Sequence, residues 1–396
     1  MSPRRSLLAL VPLFVIVGAC GSSSSESGAN STAATNTTQP AATTAPGATP
    51  TDSTTPGSSA GGSTIDAARC AVNKAAGKIT YLSGFDFAAS ASIVELLVAK
   101  KAGYFDDLCL DVDLKASFST ANYPLVAGGQ AQFASAGSFS EMLEFGAQNS
   151  ADFVALAVEG KTGIDALIVK DGAAATLADL KGKVIGVKGK ITPSVKAMLA
   201  GAGLVEGTDY QTVLIDGFDP KVHIALPNIV GFPGYKSNEP AQLDAAGIKY
   251  QLFNPADENI PGSFGVLYTS KSFLDAHRDA ATDFMRAAMK GLADAIADPA
   301  AATATAVEFI NGNGNPNYLS ADGEAFRWKT EAGLVTSTTP AGQPIGLPDA
   351  KLLQAEVDAY TKAGVFTDAI PPIDGRFDPS VITAISGPDG SVVWPG

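Results

Sequence analysis

From residue 78 to 269 the chain alternates short β-rich runs with runs of helical apolar spacing, and this rhythm constrains the fold more than any other feature. The β-rich runs fall at 78–82, 110–114, 131–134, 153–158, 165–169, 184–187, 210–215, 229–232, 250–253 and 264–269. Helical spacing occupies 90–101, 124–127, 139–148, 177–180 and 194–202, and then dominates at 272–298, 301–311, 321–332 and 349–363. Strands alternating with helices predict an α/β fold with largely parallel sheets. No internal period of roughly 20–50 residues is present, which excludes a solenoid.

Charge and residue usage exclude several functions. Forty acidic residues against 27 basic ones give a formal charge of −13, unsuited to a nucleic-acid partner. Two histidines and three cysteines leave little for metal or redox chemistry. There is no Gly-x-Ser-x-Gly elbow, His-Glu-x-x-His pair or Cys-x-x-Cys motif. The stretch from Gly186 to Thr192 has the wrong glycine spacing for a phosphate loop, and neither of its lysines is followed by Ser or Thr. A non-enzyme with no metal and no cofactor is expected.

The N-terminus sets the expected compartment. Arg4 and Arg5 precede an apolar run at 7–17, then Gly18, Ala19 and Cys20. That run is shorter than the roughly 18–20 residues that span a bilayer, so residues 1–20 read as an export signal. The tetrad Val17-Gly18-Ala19-Cys20 resembles a bacterial lipobox, which implies lipidation of Cys20 and a membrane-anchored, extracytoplasmic protein. Residues 21–64 contain almost only small and polar residues and cannot bury enough apolar surface to order themselves. They read as a disordered tether with a span of roughly 35–40 Å. With Cys20 lipidated, Cys70 and Cys109 remain as an even pair in an oxidising compartment. A disulfide between them is expected, the alternative being two buried thiols.

Two segments carry a family resemblance. Ala99-Lys-Lys-Ala-Gly103-Tyr104-Phe105 followed by the run 110–114 resembles the solute-binding proteins of ABC importers that take nitrate, sulfonates, taurine or the thiamine pyrimidine precursor. Cys109 stands where that family usually has a glycine. The stretch Gly234-Tyr-Lys-Ser-Asn238-Glu239-Pro, through Gly247-Ile248, resembles the thiamine-precursor branch and its riboflavin-binding relatives. The resemblance implies a bilobal, type II periplasmic-binding-protein-like fold, with two α/β lobes joined by two hinge crossings. The first lobe would comprise 65–168 and 266–396, the second 169–265, with crossings near 166–172 and 264–267. It also implies a small-molecule ligand, permease and ATPase partners, and a monomer.

Ligands of open α/β sheets gather beyond the carboxyl ends of strands and at helix N-termini. The loops expected there supply Phe85, Asp86, Ser90, Ser119, Tyr123, Ser138, Glu159, Thr192, Ser194, Tyr235, Asn238 and Glu239. Hydroxyls mixed with aromatics, including Phe87, Phe139 and Phe232, suit a flat heterocycle with hydrogen-bonding edges. Asp86 is equally readable as a turn cap, Glu239 as a solvated helix start, and Lys188 and Lys190 as surface charges. Tyr104 and Phe105 read as core. The expected function is capture of a thiamine-precursor-like or flavin-like solute. The alternatives are a sulfonate, nitrate or taurine binder, or, from another class, a secreted enzyme or structural lipoprotein.

Overall fold

The computed structural model describes residues 64–315, 319–366, 368–370 and 372–395. The expected signal, Cys20 and the tether up to residue 63 lie outside them. From the N-terminal side the chain forms α1 (Ala67–Ala75), β1 (Lys78–Leu82), α2 (Val94–Ala102), α3 (Tyr104–Asp107), β2 (Asp111–Lys115), α4 (Ser119–Ala127), β3 (Phe133–Ala136), α5 (Phe139–Asn149) and β4 (Phe153–Gly160). It then builds β5 (Asp165–Lys170), β6 (Val184–Val187), α6 (Pro193–Gly201), β7 (Gln211–Leu214), α7 (Pro220–Ala225), β8 (Gly231–Tyr235), α8 (Glu239–Ala245) and β9 (Tyr250–Phe253). It returns through β10 (Phe264–Ser270) to α9 (Lys271–Ala276), α10 (Arg278–Ala297), α11 (Pro299–Gly312), α12 (Ala321–Thr338), α13 (Ala350–Lys362) and α14 (Pro379–Ala384).

Two five-stranded sheets result, ordered β2-β1-β3-β10-β4 and β7-β6-β8-β5-β9. They are mixed rather than largely parallel. β10 runs antiparallel to β3 and β4, and β5 runs antiparallel to β8 and β9. The reason is connectivity. Strands made by βα units end at the cleft between the lobes, whereas β5 and β10 are entered straight from the other lobe and run away from it. The first crossing is at 161–164 and the return at 254–263, so all of β5 lies in the second sheet.

The first sheet is packed on both faces. On one, Phe133 stacks on Phe284 of α10 at 3.9 Å, and Phe105 stacks on the same ring at 5.4 Å. On the other, Tyr123, Phe139, Phe153 and Tyr268 form a second buried cluster. Each such ring, fully buried, is worth about 1.5–3 kcal/mol. Tyr123, Phe139, Phe87 and Phe232, expected at the ligand, are instead core side chains, none more than 4% exposed. Gly291 lets α10 press onto α2, since a Cβ there would lie 2.2 Å from the Glu95 carbonyl oxygen.

Helix ends follow local chemistry. Gly103 ends α2 at φ 81°, a conformation that a residue with a Cβ disfavours. Asp219-Pro220, Asp298-Pro299 and Asp378-Pro379 each start a helix, the aspartate accepting a backbone N–H and the proline filling the first position. That repeated pair marks α7 and α14, which apolar spacing alone did not reveal. The expected helix at 272–298 is broken at His277, whose backbone is not helical.

Cys70 and Cys109 are disulfide-bonded, tying α1 to the turn before β2. Their separation of 39 residues corresponds to about 4 kcal/mol in the loop-entropy picture. Cys109 has φ 56°, the left-handed backbone a glycine would take without penalty. A side chain there costs about 1–2 kcal/mol, which the crosslink offsets.

Candidate functional site

The site begins with a helix that starts late. Spacing predicts helix from residue 90, but 90–93 form a turn in which Ser92 has φ 61°, and α2 starts only at Val94. The amides of this turn point at carboxyls instead of continuing a helix. Ala89 N donates to Glu324 Oε2 (2.6 Å), Ala91 N to Glu331 Oε2 (2.7 Å) and Ser92 N to Glu159 Oε2 (3.0 Å). Glu159 comes from the end of β4, and the other two from α12. The upstream part of the loop is tied to the loop after β2: Asp86 N donates to the Ser117 carbonyl and Ser119 N to the Gly84 carbonyl, both at 2.8 Å.

This scaffold holds Phe85 at the mouth of the cleft. Its ring meets Phe118 edge-on at 5.7 Å and, across the cleft, Phe218 of the second lobe at 6.5 Å. Phe118 and Phe218 are 42% and 56% exposed, unusual for phenylalanine and suited to covering another flat surface. The Arg327 guanidinium lies over Phe85 at 5.9 Å, and Lys188 over Phe218 at 5.2 Å.

Arg327 also links the lobes. It pairs with Glu324 at 2.6 Å and donates to Asn238 Oδ1 at 2.7 Å. One helical turn on, Glu331 Oε1 accepts from Ser237 Oγ at 2.6 Å. Lys190 of the second lobe pairs with Glu144 of the first at 3.0 Å.

The buried acids are shifted upward. Burial moves Glu331 to about 7, opposed by the Ser237 and Ala91 hydrogen bonds and by Arg327. Burial moves Glu159 to about 8, opposed by the Ser92 amide and by the neighbouring Glu95 carboxyl. Glu95 is raised well above the usual carboxylate range, by burial and then by Glu159. Burial raises Asp86 and Glu141 as well. Tyr235 keeps one side open, 47% exposed, while its phenol is raised by crowding and by Glu141, Asp165, Glu239 and Glu331.

The expected residues divide into groups. Phe85, Asp86, Tyr235 and Asn238 gather at the cleft. Glu159 is fully buried behind the 90–93 turn. Glu239 is not a solvated helix start: it is 3% exposed, accepts from Tyr235 N at 2.8 Å and pairs with Lys188 at 3.4 Å, so it positions the Tyr235 turn. Tyr123 reaches the cleft only through its hydroxyl, which donates to Glu141 Oε1 at 3.0 Å, and Ser119 bonds the same carboxyl. Ser138 caps α5, the Ser90 carbonyl accepts from Ile93 N and Val94 N, and Thr192 precedes Pro193 at the start of α6. Ser194 is buried beside Tyr360 of α13. Among the described residues no group of His, Cys, Asp or Glu could hold a metal ion, and no helix is long and apolar enough to cross a membrane. A separate cavity of about 420 Å³ between α1, α10 and α14 holds Arg69, Arg278 and Arg286, each already ion-paired.

Residues 90–302, more than half of the chain, match the family described as NMT1/THI5 like. The chain belongs to the NMT1/THI5-like family. It is similar to the riboflavin-binding protein RibY of Chloroflexus aurantiacus, 30% identical over 138 residues, or 34% of this chain and 39% of RibY. It thus spans about two fifths of that relative's length. Among solved structures it is similar to the periplasmic aliphatic sulphonate binding protein SsuA from Escherichia coli, with TM-score 0.56, 14% identity, and coverage of 76% of this chain and 91% of SsuA. It is also similar to the desulfurization enzyme DSZB, with TM-score 0.52, 14% identity, and coverage of 77% and 98%. These likenesses show a bilobal, type II periplasmic-binding-protein-like fold. One fold serves a binder and an enzyme, so the fold alone does not decide function.

The NMT1/THI5-like segment ends before α12, and Phe118, Phe218, Glu324, Arg327 and Glu331 were all missed by the sequence reading. Glu324, Arg327 and Glu331 stand at i, i+3 and i+7, one face of a helix. An acid–base–acid stripe in an otherwise core-forming helix is the signal that could have found them.

Proposed function

We propose that the protein is an extracytoplasmic solute-binding protein of an ABC importer that captures a flat, ring-bearing solute between its lobes. The observation that carries this reading is the aromatic set Phe85, Phe118 and Phe218, drawn from both lobes and left partly open. NMT1/THI5-like membership and the similarity to a riboflavin-binding protein support a flavin-like or thiamine-pyrimidine-like ring. Tyr235, Asn238 and the carboxyls around them supply polar partners for ring edges. Hinge closure at 161–164 and 254–263 would sandwich the ring, and the closed form would be presented to permease and ATPase subunits. Lipidation of Cys20 would hold the monomer at the membrane.

The test is a thermal-shift and calorimetric panel on the full chain with riboflavin, the aminopyrimidine alcohol, taurine, nitrate and an alkanesulfonate. A ring compound at 100 times its dissociation constant should stabilise by about 2.7 kcal/mol. Tight binding of an alkanesulfonate with no response to either ring would sink the ring reading.

A further inference from the structure

Consecutive backbone amides at the end of a strand are where an open α/β sheet offers hydrogen bonds to an anion. In the first lobe the donors of the 89–92 loop and of the start of α5 are engaged from within. The amides of Ala89, Ala91 and Ser92 are taken by Glu324, Glu331 and Glu159, whose residues are 0%, 5% and 0% exposed. The first amides of α5 are engaged as well: Phe139 N by Ser263 Oγ (2.9 Å), Ser140 N by Glu356 Oε1 (3.0 Å) and Glu141 N by Ser138 Oγ (3.1 Å). The cations at the cleft are matched too: Lys188 faces Glu239, Lys190 faces Glu144, and Arg327 faces Glu324.

Resting on the ring-capture reading above for the ring itself, we propose that the cleft selects an uncharged or cationic solute and rejects the phosphate ester or sulfonate of the same ring, because Glu159, Glu324 and Glu331 occupy the amide cradle that the first lobe would offer an anion. A phosphorylated ring entering the cleft loses its hydration and gains no amide from the 89–92 loop or the start of α5 in return. Displacing Glu331 to free its amide would leave a buried acid without its donors. These three side chains therefore determine specificity from behind the ring, without stacking on it.

The test uses one ring with and without its phosphate. Calorimetry on the full chain should find FMN at least about 100-fold weaker than riboflavin, the scale of a like-charge penalty in a desolvated site. The aminopyrimidine alcohol and its phosphate make a second pair. An ester bound as tightly as its alcohol overturns the proposal. A second measurement does not depend on the ring. Glu331→Ala vacates Ala91 N, so tens of millimolar formate should raise the melting temperature of the variant by several degrees, relative to chloride at equal ionic strength, while leaving the wild type unmoved. Equal responses in the two proteins overturn the cradle. Neither ring binding, with formate still rescuing Glu331→Ala, ends the ring reading and leaves the anion exclusion standing. If Glu331→Ala does not fold, wild-type protein titrated with inorganic phosphate decides: stabilisation beyond the chloride control overturns the cradle.

Discussion

The two lobes share a strand order and little else. Position for position, β2-β1-β3-β10-β4 corresponds to β7-β6-β8-β5-β9, with the antiparallel strand fourth in each. The first lobe gathers α9 to α14, with α13 also packing on α6 of the second lobe through Tyr360 and Ala197, and its strand-end loops are locked by carboxyls that are almost fully buried. The second lobe has a thinner cover, and Leu214, Phe218, Val222 and Tyr235 stand open to solvent. Equal topology with unequal cover separates the roles: the first lobe holds a preorganised surface, and the second brings exposed rings and lysines to it.

The sharpest way to break this comparison is to remove a matching cation from each lobe. Arg327 is buried and holds Glu324, Asn238 and the face of Phe85. Arg327→Ala leaves the Glu324 carboxylate buried without its partner, which should cost about 3–5 kcal/mol in urea denaturation. Lys188 of the second lobe is 30% exposed at its side chain, and Lys188→Ala should cost no more than about 1 kcal/mol. Equal costs would mean that the first lobe is no more rigidly built than the second.

Protonation sharpens the same contrast. The buried acids of the first lobe are raised, whereas Asp179 and Asp209 of the second lobe are lowered by hydrogen bonds from Thr176 and Lys181. Glu331 titrates near 4.5 when unfolded and at about 7 when folded. The folded protein therefore binds protons more readily between those values. The stability it contributes is complete below about 4.5 and is lost as pH rises through about 7. A tenfold change in protonation ratio is worth about 1.4 kcal/mol, so the full loss attributable to Glu331 is on the order of 3–4 kcal/mol. Glu95 and Glu159 act in the same direction, with Glu159 extending the window towards 8. Denaturation at about pH 5 and about pH 8.5 should show this decline, and Glu331→Gln should flatten part of it. A stability rising across that range would contradict the protonation assigned to these groups.

Much of this was legible in the chain, for identifiable reasons. The runs at 78–82 and 250–253 were placed to the residue because β-rich segments bounded by turn residues leave few registers. The disulfide followed from cysteine parity. Strand direction was not legible, since a run such as 165–170 reads alike whether entered from a helix or from another lobe. The site was half legible: Phe85, Asp86 and the 235–239 turn stand beside strand ends, whereas Arg327 and Glu331 arrive from a helix far away in sequence. Tyr123 and Phe139 were misplaced because an aromatic at a loop edge looks the same in sequence whether it turns to the cleft or to the core.

The smallest effect should come from the contact that joins the lobes at their surface. Lys190 is 66% exposed at its side chain, and its partner Glu144 is 5% exposed. A largely solvated ammonium adds little to global stability, so Lys190→Ala should lower it by less than about 1 kcal/mol. The pair forms only where the lobes meet, so its removal should weaken ring binding slightly, by about two- to fivefold, through a less favoured closed state. Added salt should shrink that difference, because an exposed cation is screened over a distance of about 8 Å at physiological ionic strength. Calorimetry in low and high salt on the variant and wild type measures both effects. A salt-independent loss, or one as large as that of Arg327→Ala, would place Lys190 inside the preorganised surface and erase the division of labour between the lobes.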